Sequence, residues 1–107
     1  MTEHPVSAED KQRTAALLND LWQRNLPLLE QRMAVLERAT CSPLTEELRA
    51  EASSVAHKLA GSLGMFGYKQ GTEIARELEL ELESTSPDIS RTACLTAQLR
   101  SVLFPES

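Results

Sequence analysis

Leucine sets the problem this chain has to solve. Its 17 leucines stand against six valines and isoleucines together and four aromatics. β-branched and aromatic residues are the ones that suit a pleated sheet, so the balance asks for helices, each with an apolar face to bury. Leu17, Leu18, Leu21, Leu28, Leu29, Val35, Leu36 and Ala39 stay on one face when stepped at about 100° per residue. That phase survives Pro27, but a proline removes a backbone donor and clashes with the preceding turn. The spacing therefore predicts two nearly collinear segments, about 8–25 and about 27–40, with a kink or short break near residues 23–27. Ser7, with Asp10 three residues on, reads as the cap that starts the first.

Three further helices follow, each with its own stop and start signals. Pro43 ends the first pattern and Thr45 is placed to cap a helix over about 46–66. Its inner stripe is Leu48, Ala52, Val55, Leu59, Leu63 and Phe66. A glycine-containing turn leads to a helix over about 71–84 with Ile74, Ala75, Leu78 and Leu82 inside. The alternating ELELELE run has strand periodicity, but those four positions keep helical spacing, so its charges are a solvated face. Ser86-Pro87 favours the first residues of a last helix over about 88–103, with Ile89, Ala93, Leu99, Val102 and Leu103 facing inward. Short connections make successive helices antiparallel. The expected fold is one all-α domain over residues 1–107, an up-down four-helix bundle with an additional or kinked N-terminal helix. Residues 1–7 and 104–107 are expected to fray. Trp22, at the edge of the first stripe, is expected to lie in the core or to pack between helices.

Composition narrows the function. A net charge of −5 supplies no basic stripe for nucleic acid. No apolar run is long enough to span a membrane, and MTEHPVSAED has no apolar leader core, so a cytoplasmic, monomeric protein is expected. Cys41 and Cys94 match no metal spacing and read as reduced thiols. His4 is the only histidine besides His57, so no metal site is expected.

His57 is the residue that stands out. It lies roughly 150–160° from the centre of its helix's apolar stripe, facing solvent. Its neighbours one turn away on that face are Ser53 and Gly61, with Ala50 and Gly64 about two turns away. Exposed helix faces normally carry Lys, Glu, Gln and Arg, and each glycine costs about 1 kcal/mol relative to alanine. What glycine provides is room beside the imidazole. The plainer reading makes Gly61 a helix-packing residue and His57 an ordinary surface histidine. No partnered nucleophile or oxyanion donors accompany the ring, so an autonomous hydrolytic site is excluded. A histidine that itself accepts a group brought by a partner fits the pattern.

The run His57-Lys58-Leu59-Ala60-Gly61-Ser62-Leu63-Gly64-Met65-Phe66-Gly67, followed by a helix containing ARELE, resembles the histidine-containing phosphotransfer (HPt) domain. That family's signature is His-x-Leu-Lys-Gly-Ser and, further on, a glycine. The chain matches the histidine, the leucine, the Gly61-Ser62 pair and Gly67, and LWQRNLPLLEQRMAVLE resembles the family's upstream helix. It departs at Ala60, where the family carries lysine. The resemblance implies that His57 is the phosphoacceptor, with Lys58, Gly61, Ser62 and Glu79 in support. Lys58 either supplies the missing charge or is a plain solvated lysine. Ser62 is expected to bond back to the Lys58 carbonyl. Glu79, at the position where the family sets a polar side chain beside the histidine, either orients the imidazole or is one more charge of ELELELE. Gly67 and Gly71 are expected to serve the turn. Ser53, Ser54, Gly64 and Met65, rimmed by Leu63 and Tyr68, are the expected docking surface.

The implied role is a phosphorelay intermediate, a carrier rather than an enzyme. It would exchange a phosphoryl group with response-regulator receiver domains or a hybrid histidine kinase, and has no intrinsic cofactor. Mg²⁺ is expected in the partner receiver. The alternative, which Ala60 keeps open, is an adaptor that docks receiver domains or other signalling partners without transferring phosphate. The dimerisation helix of a histidine kinase fits less well. Such helices have an acidic residue and then a proline after the histidine, where this chain has Lys58 and Leu63.

Overall fold

The computed structural model describes residues 8–41 and 43–105, with side chains from residue 12 on. Among them are four helices and no strand: α1 (Ala8–Cys41), α2 (Glu46–Met65), α3 (Lys69–Glu83) and α4 (Ile89–Leu103). Each packs on the next, and α4 closes against α1, which makes an up-down four-helix bundle. The expected Ser7 cap and the ends at 1–7 and 106–107 lie outside the described residues.

The first helix differs from expectation in two ways. It is a single continuous helix with Pro27 inside it, not two segments, and no additional helix precedes α2 among the described residues. Proline costs α1 one hydrogen bond to the carbonyl of Gln23. Both residues are exposed, so water can satisfy that oxygen and the helix need not break. The second difference is length. At 1.5 Å per residue, 34 residues run about 50 Å, against about 30 Å for α2. The molecule is 58 Å along its longest axis and only 31 × 20 Å across, so α1 outruns its neighbours. Leu29, Met33, Leu36 and Ala39 are buried, while Leu17, Leu18, Leu21 and Leu28, assigned to the same inner stripe, are exposed.

Where α1 enters the bundle, three of the chain's four aromatics gather, all but Phe104. Trp22 stacks on Tyr68 at 4.5 Å and meets Phe66 edge-on at 5.3 Å. The α2–α3 turn thus grips the middle of α1. Gly67 makes that turn with φ +79°, a conformation that glycine adopts without strain. Gly71 does something else. It lies inside α3, where an added Cβ would stand 3.1 Å from Leu63 Cδ1, so it allows α2 and α3 to approach closely.

The α3 stripe is buried as expected. On α4 the inner face is Thr92, Leu95, Thr96, Leu99 and Leu103, whereas Ile89 and Ala93 are exposed. Threonine can turn inward here because the Thr92 and Thr96 hydroxyls donate to the carbonyls of Asp88 and Thr92, at 2.8 and 2.7 Å. Thr45 caps α2 by accepting from the Leu48 amide at 3.1 Å, and Asp88 caps α4 by accepting from Arg91. Phe104, expected to fray, is half-buried against the core, and its amide closes α4 onto the Arg100 carbonyl. Arg100 joins α4 to Glu30 and Glu37 of α1. Those two glutamates raise its guanidinium above the ordinary arginine value.

Candidate functional site

α2 carries its titratable ring between two buried alanines. Ala52, Ala56, Leu59 and Ala60 are buried on the core side of α2, and Ala60 shares a groove with Arg76, Glu79 and Leu80 of α3. There α3 presents a side chain to residue 57. The residue it presents is Glu79. His57 Nδ1 and Glu79 Oε2 are 2.9 Å apart, with the imidazole 74% exposed and the carboxylate 23% exposed. A carboxylate only accepts, so Nδ1 carries the hydrogen and donates it. In the neutral ring this leaves the lone pair on Nε2.

A shallow groove opens on either side of this pair. One is lined by Arg49, Ala50, Ser53, Ser54, Lys58 and Glu83 together with His57 and Glu79. In it Arg49 is already engaged: its guanidinium bonds Glu46 and donates to the Leu82 carbonyl at 2.8 Å. The bond to Glu46 raises the arginine's affinity for its proton and holds the Glu46 carboxyl below its usual range. The other groove is lined by Ala60, Gly61, Arg76 and Leu80 with the same His57 and Glu79. A Cβ built on Gly61 would meet nothing within 4 Å, so the space beside the ring is open there.

Of the residues singled out from the sequence, Ser53, Ser54, Lys58, Gly61 and Glu79 gather around His57. Ser62 and Met65 do not. Ser62 faces α1, where its hydroxyl accepts from Arg32 at 3.3 Å in place of donating to the Lys58 carbonyl. Met65 lines a groove between α1 and α2 with Leu21 and Leu28. Gly64 lies across from Thr72, 3.8 Å from its hydroxyl to an added Cβ. Arg76 was not singled out from the sequence. The signal for it was available: it stands three residues before Glu79, one turn away on the same face of α3.

A sequence model of the Hpt domain matches residues 12–103. The chain belongs to the Hpt domain family. Protein RcaC of Microchaete diplosiphon is 36% identical to this Hpt domain over 81 residues, which are 72% of this chain and 12% of RcaC. The chain thus corresponds to a small part of that relative. No solved structure matches it significantly. Hpt domains carry phosphoryl groups in two-component signalling, between receiver domains and histidine kinases, and are not catalysts in their own right. Among the described residues no cluster of His, Cys, Asp or Glu could hold a metal ion, and no helix is long and apolar enough to cross a membrane.

Proposed function

We propose that this Hpt domain accepts a phosphoryl group on Nε2 of His57 from the aspartyl phosphate of a receiver domain, or from a kinase, and passes it to another receiver. The observation that carries this reading is the His57–Glu79 contact on an exposed ring. In the neutral ring it leaves the lone pair on Nε2, on an imidazole that is 74% exposed.

The transfer then needs no proton to leave. The Nε2 lone pair attacks phosphorus, the N–P bond forms, and the bond from phosphorus to the aspartyl oxygen breaks to release a carboxylate. The ring, still protonated on Nδ1, becomes a cationic phosphoimidazolium next to the Glu79 carboxylate, which steadies it. In the reverse direction an incoming aspartate displaces the ring, which leaves as neutral imidazole. The divalent cation belongs to the receiver's aspartate site, where it neutralises phosphoryl oxygens. This chain contributes a nucleophile fixed in rotamer and tautomer on a rigid helix, and a flank of small residues, Ser53, Ser54, Gly61 and Gly64, that another molecule can approach.

Ala60 in place of the family's lysine favours a second reading, an adaptor that docks receivers and transfers nothing. One experiment separates the two. The protein is incubated with a phosphorylated receiver domain, and label is followed on wild type and on His57→Gln. The expected result is one acid-labile phosphate on wild type and none on the variant. Equal labelling of both removes His57 from the reaction, and an unlabelled wild type that still binds the receiver is the adaptor.

A further inference from the structure

At the family's lysine position α2 carries Ala60, and the groove that Ala60 lines is also lined by a cation of the opposite helix, Arg76. We infer that Arg76 of α3 contacts the phosphoryl group on His57 and supplies the positive charge that Ala60 cannot. This rests on the phosphotransfer reading above.

The antiparallel register of α2 and α3 makes the case. His57 lies opposite Glu79, and Gly64 opposite Thr72. Residue 60 is three after His57 and four before Gly64. Residue 76 is three before Glu79 and four after Thr72. The two positions therefore face each other, and both line the groove that His57 borders. Ala60 is only 6% exposed. A lysine there would have to run its chain out through that groove, and alanine leaves the volume to the arginine. Gly61 keeps the space in front of it clear.

Arg76 is also unspent. Among the described residues it makes no hydrogen bond or ion pair, whereas Arg38, Arg49, Arg91 and Arg100 are each held by carboxylates. The charged groups near it are Glu79, which is committed to Nδ1 of His57, and Glu73 and Lys69 in the adjoining groove. Lys58 opens on the opposite groove, where Glu83 stands with it and Arg49 is held by Glu46. A guanidinium suits the task better than an ammonium, because its planar fork can hold two phosphoryl oxygens at once. Glu79 and Arg76 then divide the work along one face of α3. The carboxylate steadies the ring, and the guanidinium one turn earlier steadies what the ring carries.

The test uses the whole chain, labelled on His57 from phosphoramidate and from a phosphorylated receiver. Its readouts are the labelling rate and the lifetime of the phosphohistidine, followed by phosphorus NMR. Arg76→Ala is expected to lower one or both by about tenfold, the size of one charge-assisted hydrogen bond at an accessible site. Arg76→Lys should keep most of the function, and Ala60→Lys should restore it in the Arg76→Ala background. Lys58→Ala should lower either readout by less than Arg76→Ala does, because Lys58 opens on the opposite groove. Thermal melts confirm that the variants are folded, which is expected because Arg76 is exposed. Label on wild type that Arg76→Ala leaves within about twofold, or a loss that follows Lys58 instead, overturns the role of Arg76 alone. A wild type that takes no label, or label that survives His57→Gln, overturns the phosphotransfer reading and this inference with it.

Discussion

The two halves of α1 have the same apolar rhythm and opposite fates. From Leu29 to Ala39 the stripe is sealed against α2 and α4, with Leu29, Met33, Leu36 and Ala39 fully buried. Toward the N-terminus Leu17, Leu18 and Leu21 repeat the spacing in solvent, at 59%, 43% and 50% exposure. Periodicity states which face of a helix would be buried if something covered it. Whether anything does depends on the lengths of the other helices, and α2 and α4 are too short to reach. The boundary falls at Trp22, whose ring contacts are with Phe66 and Tyr68 of the α2–α3 turn.

The sharpest way to break this contrast is at its buried end. Leu36→Ala removes a side chain with no exposed surface from the middle of the core. It is expected to lower unfolding free energy by about 3 kcal/mol, measured by urea denaturation. A loss under about 1 kcal/mol would mean the lower half of α1 is packed no more tightly than the upper. At the boundary, Trp22→Ala gives up a stacked and an edge-on ring contact from a half-buried position. About 2 kcal/mol is expected, with a matching loss of tryptophan-independent near-ultraviolet signal from Tyr68. A near-neutral result there would move the boundary down α1, toward Leu29.

The rest of the molecule shows why some positions were legible in the sequence and others were not. Helices α2 to α4 could be read because their signals are local. Thr45 caps α2 where its position before an apolar-periodic run says it should, and Ile74, Ala75, Leu78 and Leu82 are buried as their spacing demands. Asp88, the cap of α4, was hidden behind Pro87, whose preference for first helical positions pulls the expected start a residue early. Thr92 and Thr96 were missed because a hydroxyl counts as polar until its own helix satisfies it. At the site, the outward aim of His57 follows from counting along one helix. Which glutamate of ELELELE would reach it cannot be counted that way, because it depends on how α3 slides along α2. The family resemblance pointed to Glu79, and the register that sets Gly64 against Thr72 brings it to His57. Ser62 went wrong for the same cause in reverse. Its hydroxyl was assigned a partner within its own helix, and Arg32 of α1 took it.

The smallest expected effect is the most informative about α1. Leu17→Ala and Leu21→Ala remove side chains that are half or more exposed, and neither leaves a cavity. Each should change unfolding free energy by less than about 0.5 kcal/mol, since little apolar area returns to water and alanine is the better helix former. The same urea titration used for Leu36→Ala measures it. Losses approaching that of Leu36→Ala would mean these leucines are covered in solution. Repeating the titration over a range of protein concentrations then decides how, because cover by a second copy of the chain makes the midpoint rise with concentration. A midpoint that stays fixed, with losses near zero, leaves the upper half of α1 as a bare helix held at one end by Trp22.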